Sequence, residues 1–208
     1  MSKITCLWDA RAELGEGVLY DAIRNEVWWV DILGQKIFCL AIHNGKKRQW
    51  STPETVGRTF SRHKDEVLAL FKNSIVRFNI EKNNFETLLN FPSEPNNNRF
   101  NDGILAPDGS LWVGSMDFDC KKSTGNLYRV SNDLKQIEVK DTSYIVLNGP
   151  AFTSKGNKLY VNETILGEIY SYDVDPKTND IFNKKLFSKL SEDEGLPDGI
   201  CVDSKDRL

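Results

Sequence analysis

Residues Asn96–Asp119 read NNNRFNDGILAPDGSLWVGSMDFD. Arg99, Asn101 and Asp102 stand immediately before Gly103. After that glycine come about four strand-like residues, a Pro-Asp-Gly turn and a second apolar run, GSLWVGS. Two short runs around a turn signal read as a β-hairpin. A lone hairpin does not explain why polar residues crowd its entrance.

Comparison with the rest of the chain supplies the explanation. Runs of the same kind open at EGVLYD (Gly17), VGRTFS (Gly57), DGILAP (Gly103), NGPAFT (Gly149) and DGICVD (Gly199), with glycine spacings of 40, 46, 46 and 50 residues. Second strands follow in NEVWWVD, DEVLALF, GSLWVGS and NKLYVNE, and third strands in QKIFCLA, NSIVRFN, GNLYRVS and GEIYSYD. Fourth strands fall near KRQWST, FETLLNF, KQIEVKD and KKLFSKL. Long helical periodicity is absent, so helices should be few. Four short strands per period of this length mark a β-propeller blade. A β-sandwich also has frequent turns but needs no glycine at a nearly constant period.

In a propeller the first strand of each blade lines a central channel. The residues before the five glycines, Glu16, Val56, Asp102, Asn148 and Asp198, then become equivalent positions at the channel mouth. Four of the five carry side-chain oxygen. Asn, Asp and Glu before Gly are also ordinary turn residues, but their return at one repeat position points to convergence on an axis. Crowded carboxylates are unfavourable unless a cation or hydrogen bonds compensate.

The bulk composition narrows the function. The 208 residues can bury a sizeable core, and Lys+Arg 27 against Asp+Glu 30 gives a net charge of −3. No basic stripe is present, which argues against nucleic-acid binding. The first residues show neither a signal peptide nor a membrane span, so the expectation is a cytoplasmic chain without a membrane partner. Cys6, Cys39, Cys120 and Cys201 are widely spaced and expected to be reduced, with Cys39 and Cys201 filling core. Asn162-Glu-Thr matches a glycosylation acceptor, which carries no meaning in a cytoplasmic chain.

The segments LGEGVLYD, NNRFNDGILAPDGSLWVGSMD, NGPAFTSKGNKLYV and LPDGICVDSKDRL together resemble the regucalcin/gluconolactonase/luciferin-regenerating enzyme family, the senescence-marker-protein group of six-bladed propellers. The resemblance runs from about Leu14 onward. It implies a lactone hydrolase with one divalent cation. By motif, Glu16, Asn148 and Asp198 would be the metal ligands, and Asp198 also the catalytic proton acceptor and donor. Arg99 and Asn101 would bind substrate. Asp119 stands where animal members have glutamate, one methylene shorter, as a further substrate contact. Asp102 is expected to orient its neighbours rather than bind metal. Two carboxylates and an amide form an all-oxygen donor set suited to Ca²⁺, Mg²⁺ or Mn²⁺, with Zn²⁺ as a substitute. The expected partner is a small sugar-type lactone. Alternatives are a calcium-binding or regulatory propeller without turnover, and a non-catalytic interaction scaffold.

A closed six-bladed ring needs about 270 residues at about 45 per blade. The expectation for residues 1–208 is therefore one truncated propeller domain of about four and a half blades, with weak cation binding. The segment ITCLWD is expected to lack a last blade to join. Other features lead elsewhere. DVDPKTNDIFNK (Asp173–Lys184) has Lys177, Thr178 and Lys184 where a calcium loop needs other residues, and reads as a hairpin turn. SEDEG (Ser191–Gly195) reads as a solvated rim loop. His43 and His63 have no partner motif, Ser115 lies outside any nucleophile elbow, and Trp28, Trp29 and Trp112 read as packing residues.

Overall fold

A computed structural model describes residues 4–63 and 66–208, and it is an all-β molecule of four blades in a propeller arrangement. Each blade is a four-stranded antiparallel meander. The first comprises β1 (Gly15–Asp21), β2 (Glu26–Asp31), β3 (Lys36–Ala41) and β4 (Lys47–Ser51). The second comprises β5 (Val56–His63), β6 (Glu66–Phe71), β7 (Ser74–Asn79) and β8 (Asn84–Asn90). The third comprises β9 (Asn98–Leu105), β10 (Leu111–Asp117), β11 (Gly125–Val130) and β12 (Ile137–Tyr144). The fourth comprises β13 (Leu147–Phe152), β14 (Lys158–Glu163), β15 (Glu168–Val174) and β16 (Ile181–Lys189). All sixteen strands fall on the runs read from the sequence. Among the described residues one short 3₁₀ helix, Glu192–Glu194, is present, and no helix is long and apolar enough to cross a membrane.

The inner strands of blades 2 and 3 are buried on both faces because each of these blades is packed between two neighbours, and their alternation divides the side chains between two cores. On β6, Val67, Ala69 and Phe71 face Trp28, Val30 and Ile37 of blade 1. Leu68 and Leu70 face Phe100, Leu111 and Val113 of blade 3. Trp112 and Leu127 pack on Leu147, Leu159 and Val161 of blade 4.

The repeat glycines have a packing cause. Neighbouring first strands approach so closely that a Cβ on Gly57 would lie 2.5 Å from the Asn101 carbonyl oxygen. At Gly149 φ is 48°, and a Cβ would lie 2.7 Å from Ile200. Both positions exclude a side chain, and the second also requires a left-handed backbone.

Two expectations are corrected. Residues 195–208 form no strand, so there is no half blade after the fourth; this segment instead runs beside β13, with Ser154 N–H donating to Asp206 Oδ1 at 2.8 Å. Cys201 is exposed rather than core, because the strand that would bury it is absent; Cys39 is buried, and all four cysteines are free. The N-terminal segment, for which no last blade was expected, packs on blade 1. Trp8 packs edge-on against Trp29 (5.0 Å) and Phe38 (5.4 Å), covering the face of blade 1 opposite Trp28. Trp29 is thus a packing residue as expected, but toward the N-terminal segment.

Candidate functional site

The first strands β1, β5, β9 and β13 stand side by side, and each has a register irregularity near its repeat glycine. Bulges of this kind re-aim side chains. In β1 the irregularity follows Glu16 and in β13 it follows Asn148. Both residues immediately precede a left-handed glycine, Gly17 (φ 63°) or Gly149 (φ 48°). Glu16 and Asn148 therefore leave equivalent strands in the same way.

A directional hydrogen-bond chain crosses from blade 3 to blade 4 and on to the C-terminal segment. Arg99 Nη1 donates to Asn101 Oδ1 (2.7 Å) and to the Phe100 carbonyl (3.1 Å). Asn101 Nδ2 donates to Asn148 Oδ1 (2.6 Å) and to the Leu147 carbonyl (3.0 Å). Asn148 Nδ2 donates to Thr164 Oγ1 (2.9 Å), which donates to the Pro197 carbonyl (2.8 Å). The next carbonyl, of Asp198, accepts from Asn162 Nδ2.

Asp102 is already committed. Its carboxylate pairs with Arg58 and accepts from the N–H groups of Gly103 (2.8 Å) and Gly149 (2.9 Å), joining blades 2, 3 and 4. It orients its neighbours, in line with the sequence reading. Asp198 is exposed, and among the described residues no hydrogen bond or ion pair occupies its carboxylate.

Electrostatics tie these groups together. Burial pushes the Glu16 carboxyl above its ordinary value, and the charges of Asp198 and Asp102 push it further, against a lowering influence from Arg99. Glu16 thus senses residues from blade 3 and from the C-terminal segment. Arg99 is 7% exposed, and burial lowers its pKa, although a guanidinium stays charged. Among the described residues it has no carboxylate at ion-pair distance; its guanidinium lies 6.0 Å from the Phe118 ring. A buried guanidinium that feels the Glu16 charge but has no carboxylate in direct contact is costly, and such a group suits ligand oxygens.

Asp119 lies in the exposed loop after β10, beside Phe118, and accepts from Asn97 Nδ2 at 3.2 Å. Glu16, Arg99, Asn101, Asn148 and the Asp198 segment are therefore linked by hydrogen bonds or mutual charge, while Asp119 stands at the loop.

The predicted donor set, two carboxylates and an amide, has the chemistry that suits a hard divalent cation. Asn148 Oδ1 accepts one hydrogen bond and keeps a second lone pair. Burial, and after it the charges of Asp198 and Asp102, disfavour the ionised form of Glu16, which a bound cation would favour. Asn162 Oδ1, beside the Asp198 backbone, is buried and has no hydrogen-bond partner among the described residues. Among the described residues no three His, Cys, Asp or Glu side chains gather around a point; the predicted set is two carboxylates and an amide.

Thr164, Asn162 and Arg58 were missed in the sequence. Arg58 had a signal: it follows Gly57 in the one blade whose preceding residue, Val56, carries no oxygen. Thr164 and Asn162 lie on or just after a second strand, with no repeat signature. The features set aside behave as read. Asp175 and Asp180 close the β15–β16 hairpin, Ser115 Oγ accepts from the Asn126 N–H (2.9 Å), and His43 and His63 are exposed.

A family profile described as SMP-30/Gluconolactonase/LRE-like region matches residues 14–208. The chain is 28% identical over 200 residues to YvrE of Bacillus subtilis strain 168, a proposed sugar lactone lactonase, covering 96% of this chain and 68% of that protein. It is 27% identical to regucalcin of Xenopus laevis, covering 99% of this chain and 70% of that protein. A crystal structure of regucalcin from Agrobacterium tumefaciens strain C58, described as a calcium-binding protein, superposes with a TM-score of 0.90 at 21% identity. That superposition covers 96% of this chain and 68% of the other.

Proposed function

Because the chain belongs to the SMP-30/gluconolactonase/LRE-like family, we propose that it hydrolyses a sugar-type lactone to the open hydroxy acid with one divalent cation. The family supports a lactonase-like function; the cation and the substrate class are our reading. Glu16, Asn148 and Asp198 would hold the cation, which when bound supplies Lewis-acid polarisation of the lactone carbonyl and acidifies a water.

The chain's own groups do the rest. Asp198, exposed and without a competing partner, accepts the proton from the attacking water and returns one to the departing ring oxygen. Arg99 presents a fork of donors to substrate hydroxyls and to the carboxylate that forms. Asn101 holds Arg99 and Asn148 in register through two hydrogen bonds. Asp119, on the loop beside Phe118, would contact substrate from the rim.

The observation that carries this reading is the continuous chain Arg99–Asn101–Asn148, which joins a substrate-type cation to a ligand-type amide. A cation buffer without turnover has no use for a buried guanidinium beside its site, and an interaction scaffold needs neither group. The test is lactone hydrolysis with and without a chelator, alongside Asp198→Ala. Chelation and the variant should each reduce turnover by about 10²–10⁴-fold. Turnover indifferent to chelation would remove the proposal.

A further inference from the structure

Asn148 and Asp198 come from different segments, and the structure shows one hydroxyl that touches the backbone or side chain of both regions. Thr164 Oγ1 accepts from Asn148 Nδ2 (2.9 Å) and donates to the Pro197 carbonyl (2.8 Å), one residue before Asp198. A threonine hydroxyl carries a single hydrogen. Once that hydrogen is committed to Pro197, the group facing Asn148 can only accept, so the Asn148 amide nitrogen must point toward it. The other end of the network agrees: Arg99 only donates, so Asn101 turns its oxygen to Arg99 and its nitrogen to Asn148 Oδ1. The amide oxygen of Asn148 is thereby held on the side away from Thr164.

We propose that Thr164 is a positioning residue of the site. It fixes the orientation of the Asn148 amide and keeps the Asp198 segment in register with β13. The proposal rests on the cation reading above only for its effect on affinity; the positioning itself is a property of the protein alone. Asn162, fully buried and opposite Asn148 in the β13–β14 ladder, donates to the Asp198 carbonyl and steadies the same segment, but its side chain makes no hydrogen bond to the Asn148 amide among the described residues.

The test compares Thr164→Val, which keeps the shape and removes the hydroxyl, with Thr164→Ser, which keeps the hydroxyl. Mn²⁺ affinity is measured by titration well below the melting temperature. In the cation-free protein, exchange of the Asn148 side-chain amide and proteolysis around residues 195–200 are followed. Thr164→Val should weaken Mn²⁺ binding by about 10–100-fold, speed amide exchange and expose the segment, while Thr164→Ser restores all three. Wild-type behaviour of Thr164→Val in affinity, exchange and proteolysis would overturn the proposal, as would a lowered melting temperature with unchanged affinity and exchange. If the wild type binds no Mn²⁺ while Thr164→Val still frees the amide and the segment, the cation reading fails and the positioning role stands.

Discussion

Blades 2 and 4 share one backbone plan and diverge at one repeat position. In blade 2 the residue before the glycine is Val56, fully buried in the apolar core with Trp28 and Val67. In blade 4 it is Asn148, also buried, yet bonded to Asn101 and Thr164. The valine needs only contact. The asparagine needs a partner for each polar atom, and three segments must agree to provide them. What all blades repeat makes the fold, and the residue at this one position decides whether a blade adds apolar contact or polar partners.

Asn148→Val, which gives blade 4 the residue of blade 2, tests that division most severely. It leaves Asn101 Nδ2 and Thr164 Oγ1 each short of a partner, at about 1–3 kcal/mol per buried group. Urea unfolding should show that loss, and cation titration a loss of binding. A variant as stable and as cation-competent as wild type would erase the distinction between the two blades.

A smaller effect is expected on the blade 2 side. Arg58 is the residue there that reaches across, pairing with Asp102. Breaking a fully buried pair costs about 3–5 kcal/mol. The Arg58 side chain is 20% exposed, so Arg58→Met should cost less, about 1–3 kcal/mol. Double-mutant analysis with Asp102→Asn should show strong non-additivity; simple additivity would mean that the pair does not join the blades.

The mildest prediction concerns pH. The folded-state pKa of Glu16 lies above its ordinary value of 4.5, through burial and the charges of Asp198 and Asp102. Without a cation, the stability tied to its neutral form is present below pH 4.5 and is lost as pH rises through the raised value. Cation affinity runs the opposite way, since proton and cation compete for one carboxylate. Titration at stepped pH should show Mn²⁺ binding weaken on acidification from above pH 4.5, by at most about tenfold per unit. Glu16→Gln should flatten that slope. An unchanged slope in Glu16→Gln would assign the effect to another group.

The strand plan was legible because it is local. Glycine returns, turn dipeptides and alternating apolar runs located all sixteen strands, and the bulky residues of those runs form the three cores between blades. The role of Asp102 was also legible, since a carboxylate beside a repeat glycine meets the neighbouring strands. Arg58 could have been found from the missing oxygen at Val56. Thr164 could not, because nothing in Asn162-Glu163-Thr164 announces a hydroxyl bonded to two segments at once.

By itself the sequence determined the blade, its period, and which oxygen-bearing residues share a repeat position, because strand alternation and turn chemistry act over a few neighbouring residues. Only the tertiary structure decided which of those oxygens are consumed and which stay available. Asp102 is taken up by Arg58 and two N–H groups, while among the described residues the Asp198 carboxylate has no hydrogen bond or ion pair and Asn148 keeps a lone pair. The reason is that hydrogen bonds saturate: whether an atom is available depends on every donor within reach, and here those donors come from blades more than forty residues apart in the chain.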